Sequence, residues 1–189
     1  MDRPRPNELW RGSYHMSRSL IPVLLSIMAL TLPAFAVLES QKCGPYLVSF
    51  DLTTTEEMNI SRLNPTYYAN HVIYNLSLIN QSGDECGLIE ICTFYRPTSS
   101  QINLDNLVSF IVSSYENMTY ASVTQNNKTI DGHQGFLVTS KDSFGNLHWA
   151  SGYWITNAST LIEMQGNQNW EMKDVKAMLD SVHVERVGF

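Results

Sequence analysis

The motif Asp131-Gly132-His133-Gln134-Gly135 places a carboxylate two residues from an imidazole. Such a pair suits acid–base work or metal binding. The same five residues also spell a tight turn. Asp-Gly accepts positive φ, and Gly135 lets a neighbouring backbone come close. No nucleophile motif accompanies the pair: Gly-x-Ser-x-Gly, His-Glu-x-x-His, a P-loop and Gly-x-Gly-x-x-Gly are all missing from the sequence. The turn is the reading carried forward, and a small extracytoplasmic hydrolase built on Asp131 and His133 is the alternative. No catalytic residue is assigned.

Two carboxylates stand out for their surroundings. Glu90 and Glu163 each interrupt an apolar strand-like run. Burial would raise the pKa of either and make it a candidate acid, whereas a strand edge or an open face would leave it an ordinary solvated side chain. The densest aromatic stretch is Leu147-His148-Trp149-Ala150-Ser151-Gly152-Tyr153-Trp154-Ile155. Period-two alternation puts Trp154 on one face with the small Ala150 and Gly152, which suits close cover by a helix. Trp149, Ser151 and Tyr153 take the other face. If that face is open, the two rings form a ligand-binding platform for a glycan, a peptide or an apolar molecule; if covered, they are a second core layer.

Cys43, Cys86 and Cys92 lack Cys-x-x-Cys spacing, and His71, His148 and His183 lack ligand spacing, so neither a metal nor any other cofactor is expected. In an oxidising compartment one disulfide is expected. Cys43 and Cys86 both lie just before a predicted strand and are the expected pair. Cys92 falls inside an apolar strand and reads as a small buried hydrophobe.

The elements that must position these residues follow from periodicity. Alternation predicts strands at Tyr46–Leu52, Val72–Leu78, Gly87–Tyr95, Tyr120–Thr124, Gln134–Ser140, Leu147–Ile155 and Thr160–Gln165, with 53–70 as a long polar connection. Helical spacing appears at Leu104, Leu107, Val108, Ile111, Tyr115 and Met118 behind an Asn103 N-cap, and Leu107, Ile111 and Tyr115 are expected in the core. Trp170 to Val182 closes the chain as a second helix burying Val175, Leu179 and Val182. The fold class is therefore α+β: a mostly antiparallel sheet of six or seven strands with two packed helices, in the order β-β-β-α-β-β-β-β-α.

Arg11 and Arg18 precede an apolar run from Leu20 to Leu32 and the small-residue site Ala34-Phe35-Ala36. The run is shorter than the roughly 20 residues a spanning helix needs, so residues 1–36 read as a cleavable signal peptide. Met16 is an alternative start. Residues 37–189 then form a single secreted α/β domain with no membrane span. Its formal charge of −8, against −6 for the whole chain, argues against nucleic acid and anionic membranes as partners. Six Asn-x-Ser/Thr acceptors, Asn59, Asn75, Asn80, Asn117, Asn127 and Asn157, suggest a glycosylated surface.

The element order, with Thr129-Ile130-Asp131-Gly132-His133 leading into a meander and a final helix, resembles the PsbP-like α/β domains. Gly44-Pro45-Tyr46-Leu47-Val48-Ser49-Phe50-Asp51-Leu52 resembles the opening of small exported archaeal domains without known activity. The resemblance spans about residues 44 to 185. It implies an accessory or binding role outside the cytoplasm, and no shared catalytic set. The expectation is a non-enzymatic binding or accessory domain of the cell envelope, partnered by an envelope ligand or protein. A structural, glycan-coated surface protein is a further alternative.

Overall fold

The computed structural model describes residues 37–52, 58–96, 103–118, 122–167 and 172–188. The expected signal peptide, residues 1–36, lies outside them. Eleven strands and two helices are present among the described residues. The larger sheet has eight strands. In spatial order they are β3 (Asn59–Arg62), β5 (His71–Ile79), β6 (Glu85–Phe94), β10 (Thr160–Asn167), β9 (Leu147–Asn157), β8 (His133–Lys141) and β7 (Ser122–Ile130), with the short β4 (Thr66–Tyr67) also pairing on β5. A second sheet sets β2 (Tyr46–Leu52) between β1 (Val37–Cys43) and β11 (His183–Arg186). The pairings are antiparallel throughout.

Alternation along the strands separates two cores. One face of the large sheet presents Val72, Tyr74, Leu76, Leu78, Ile89, Ile91, Ile162, Met164 and Trp154. These pack against Tyr46, Val48, Phe50 and Leu52 of β2 and against Val175, Met178, Leu179 and Val182 of helix α2 (Met172–Ser181) and its end. The other face carries a smaller core of Val138, Trp149 and Tyr153 beneath Val108 of helix α1 (Leu104–Glu116). Gly152 explains how α2 comes so near: a Cβ there would sit 2.3 Å from a Leu179 methyl. The small-residue face read from the sequence is thus the face that takes a helix. The Asn103 side chain accepts from the Asn106 N–H at 2.9 Å and caps α1, as the sequence signals.

The structure is richer in strands than the expected six or seven. The additional strands β1, β3, β4 and β11 are short or lie at sheet edges, and their solvated faces carry too few apolar residues for alternation to show. Two of them, β3 and β4, occupy the stretch expected to be a long connection. The apolar stripe of α1 is also rotated: Val108 is its buried residue, Leu107, Ile111 and Tyr115 are half-buried, and Met118 is exposed. In α2 the expected trio Val175, Leu179 and Val182 is buried.

The expected Cys43–Cys86 disulfide is not formed. All three cysteines are buried free thiols. Cys43 precedes Gly44, which lies against the ring of Tyr74, and Tyr74 pairs with Ile91. Cys86 is five residues further along β6, roughly 17 Å away at the rise of an extended strand, far beyond the reach of a disulfide. Cys86 instead points its Sγ–H at Met58 Sδ, 3.7 Å away. Burial pushes the Cys43 and Cys92 thiols up to about 11, so they stay protonated and unreactive. A thiol reagent should therefore count three thiols in denaturant and almost none in the folded protein. A Cys43–Cys86 peptide in a non-reduced map would contradict this arrangement.

At Gly135 a Cβ would lie 2.4 Å from the backbone oxygen of Tyr153, with Trp154 Cβ at 3.0 Å. Neither backbone can yield without parting β8 from β9. Gly135→Ala should therefore cost about 2 kcal/mol or more, typical of forced overpacking. A thermal melt that leaves the midpoint unchanged would show that the two strands do not approach this closely.

Candidate functional site

The register of four adjacent strands aligns four polar side chains in one row across the sheet. Asn75 of β5 pairs with Glu90 of β6, Glu90 with Glu163 of β10, and Glu163 with Tyr153 of β9. All four occupy the face opposite the main core, because their sequence neighbours Leu76, Ile91, Ile162 and Trp154 fill that core. Helix α1 packs over β7, β8 and β9. Glu90, Glu163, Leu88, Leu161 and Ile73, on the strands beside it, are half-buried. The result is a shelf with α1 as one wall.

Strand β9 supplies the residues that hold this row. Ser151 Oγ–H and Tyr153 Oη–H both donate to Glu163 Oε1, at 3.0 and 2.9 Å. Trp149 Nε1–H donates to Gln165 Oε1 at 2.8 Å, and its ring stacks on Tyr115 of α1 with centroids 4.4 Å apart. The structure therefore brings Trp149, Ser151 and Tyr153 together on one face, as the sequence predicts. It does not leave them open: they are 6 %, 0 % and 2 % exposed, beneath α1. They act as a buried frame for Glu163 and not as a solvent-facing platform.

Burial raises the pKa of Glu163, although the two donated hydrogen bonds pull the other way. Burial also raises that of Glu90, and the facing charge of Glu163 adds to the effect. Two carboxylates directly opposite one another on a partly dry face cannot both ionise cheaply. The pair thus favours holding a proton. The Glu90 carboxyl makes no hydrogen bond among the described residues, and the Oδ1 atom of Asn75, its cross-strand neighbour, is buried without a donor. At one end of the row Glu163 Oε1 accepts two hydrogen bonds, and at the other the Glu90 carboxyl and Asn75 Oδ1 are left with unused capacity. A cavity of about 80 Å³ opens beside it, lined by Glu85, Cys86, Gly87, Leu88, Trp149, Gln165 and Asn167. That is space for a few waters.

Asp131 and His133 have a structural role. Asp131 and Gly132 have φ of 52° and 74°, the two left-handed residues of a two-residue hairpin between β7 and β8. The Asp131 carboxylate accepts from His183 Nδ1 at 2.7 Å and from the Val184 N–H at 3.0 Å, pinning β11 to that hairpin. Its imidazole partner is thus His183 and not His133. Among the described residues, no group of three or more His, Cys, Asp or Glu side chains could hold a metal ion.

The six acceptor asparagines are distributed unevenly. Asn59, Asn117, Asn127 and Asn157 are exposed, and Asn80 sits in the β5–β6 turn, where its Oδ1 accepts from the Asp84 N–H. Asn75 is different, since it lies mid-strand in the polar row with its carbonyl oxygen buried.

No protein-family model matches the chain, and no curated protein matches it.

The pH dependence of stability tests the carboxyl pair. A carboxyl whose pKa is raised above its ordinary value of 4.5 favours the fold most when protonated. Its contribution is complete below that value and is lost as pH rises through the folded pKa. Glu163→Gln keeps an acceptor for Ser151 and Tyr153 and removes the ionisation. The variant should gain on the wild type progressively from pH 4.5 towards 8. Melting curves that stay parallel across this range would mean that Glu163 is ionised at no cost.

Proposed function

We propose that this chain is an exported, non-enzymatic binding or accessory domain of the cell envelope, built like the PsbP-like α/β domains. Its ligand rests on the sheet shelf beside α1. One observation carries this reading: Glu163 Oε1 accepts from both Ser151 and Tyr153, while the carboxyl of the facing Glu90 is half-exposed and without a hydrogen-bond partner among the described residues. Glu90 is free to accept from an N–H or ammonium group, and Leu161 and Ile73 beside it offer apolar contact. Ser151 and Tyr153 contribute by fixing Glu163, and Trp149 by fixing the neighbouring Gln165.

Export is supported by the basic, apolar and Ala34-Phe35-Ala36 sequence order. No helix among the described residues is long and apolar enough to cross a membrane. The exposed acceptors Asn59, Asn117, Asn127 and Asn157 are compatible with a glycan coat, as is Asn80 at its turn, whereas a glycan on Asn75 would have to project from the polar row. A purely structural glycoprotein would leave the unused capacity of Glu90 without a purpose.

A second reading rests on the same two carboxyls. A proton-sharing pair can serve as general acid and general base, so hydrolytic chemistry would sit at Glu90 and Glu163, because Asp131 is engaged by His183 and Val184. Native mass spectrometry of the secreted protein separates the readings. A bound small molecule should be present in the wild type and lost in Glu90→Gln, with the melting temperature maintained. A wild type that carries nothing, or a variant that keeps its adduct, would defeat the binding reading. Turnover abolished by the same substitution would favour hydrolysis.

A further inference from the structure

A second surface, away from the carboxyl row, gathers three of the five exposed aromatic side chains among the described residues. Tyr67, Tyr68 and Tyr95 are 71 %, 49 % and 53 % exposed, and all lie where β4, β5 and β6 come to an end together. Rings of this size are seldom left in water by chance in one place. They are also held rigidly. Tyr68 stacks on His71 with centroids 4.4 Å apart and planes at 14°, and His71 leans on Phe94 at 5.4 Å. Asn70 Oδ1 lies 2.7 Å from His71 Nδ1, and the backbone bonds Tyr95 N–H to Asn70 O and Tyr68 N–H to His71 O fix both loops.

Ala69, Asn70, Phe94, Tyr95 and Arg96 line a cavity of about 460 Å³ at this end. That volume falls in the range of small-ligand sites, and Arg96 is the one charged residue among its described lining residues. The charge is unusual for this chain. Residues 37–189 carry a formal −8 and only three arginines, Arg62, Arg96 and Arg186. Arg186 pairs with Tyr46, whose hydroxyl lies 2.8 Å from Thr93 Oγ1, immediately before Phe94. Arg62 stands on β3, four residues before the first strand residue of β4. Of the three, Arg96 lines the cavity beside Tyr95.

We propose that this end is a binding site for an acidic saccharide, with sugar rings stacked on Tyr68 and Tyr95 and a sugar carboxylate held by Arg96. Aromatic faces suit the C–H faces of pyranose rings, and three phenol hydroxyls with the Asn70 amide suit sugar hydroxyls. A guanidinium matches the planar, two-oxygen geometry of a carboxylate where an ammonium does not. The site does not depend on the Glu90 shelf, and the two can fail separately.

The full chain is titrated by calorimetry with a short oligogalacturonate, with a neutral cello-oligosaccharide of equal length, and with oligoglutamate. The uronate should bind at least about tenfold more tightly than the neutral sugar, the size of effect one charge-assisted bidentate pair supplies. Arg96→Gln should remove that preference without shifting the melting temperature, and Arg96→Lys should restore only part of it. Tyr68→Ala should weaken both sugars. No binding of the uronate by the wild type, an unchanged affinity in Arg96→Gln, or oligoglutamate binding as well as the uronate would overturn the proposal. The last outcome would assign the site to an acidic peptide.

Discussion

Because β9 runs between β10 and β8 and its side chains alternate, Trp154 and Trp149 must both be covered, on opposite sides of one sheet. No single layer can do this. Helix α2 and the small sheet close over Trp154, and α1 closes over Trp149. The two layers need different distances. Gly152 lets Leu179 of α2 come within touch of the strand, whereas Trp149 gives α1 a ring to pack on. A sheet buried on both faces over only part of its width leaves the remainder half-covered, and that remainder is where the carboxyl row lies.

The energetics of the row follow from the same partial cover. Hydrogen bonds to a charged group contribute about 1.5–3 kcal/mol each, while moving a carboxylate out of water costs several kcal/mol even after relaxation. Two donors from Ser151 and Tyr153 therefore offset much of the penalty at Glu163 without removing it, and its pKa stays raised. Glu90 has no such donors among the described residues and faces a second carboxyl, so burial and repulsion act in the same direction. Elsewhere the fold tolerates similar debts. The indole N–H of Trp154 and the hydroxyl of Ser140 are buried without partners among the described residues, because tight apolar packing outweighs one lost hydrogen bond.

What was legible in the sequence was whatever one segment could show by itself. The alternation of Tyr46 to Leu52, the two-sided pattern of Trp149 and Trp154, and the stripe of α2 all depend on local period, and all correspond to observed faces. The Asp131-Gly132 turn was equally local. Strands β1, β3, β4 and β11 were not visible, because short edge strands with solvated sides lack apolar alternation. The facing of Glu90 and Glu163 was hidden for another reason. Each residue is conspicuous alone, but their meeting depends on the register between β6 and β10, which are distant in sequence. The only available signal was that each acid sits at a position whose sequence neighbours on both sides are apolar. The expected disulfide failed because proximity to a strand start says nothing about which end of the sheet that start occupies.

The small sheet carries a consequence for the order in which the molecule is completed. Strand β2, with Val48 and Phe50 at the centre of the main core, is flanked on one side by β1 and on the other by β11, which follows every other described element. Asp131 fastens β11 only once the β7–β8 hairpin exists to present it. The chain could therefore pair β1 with β2 early but could not seal the far edge of β2 until β11 had been made. Such closure between segments distant in sequence is slow, because the entropy of ordering the intervening chain must be met first. An architecture that delays its last seal in this way leaves one edge of a core strand open until the other described elements are in place.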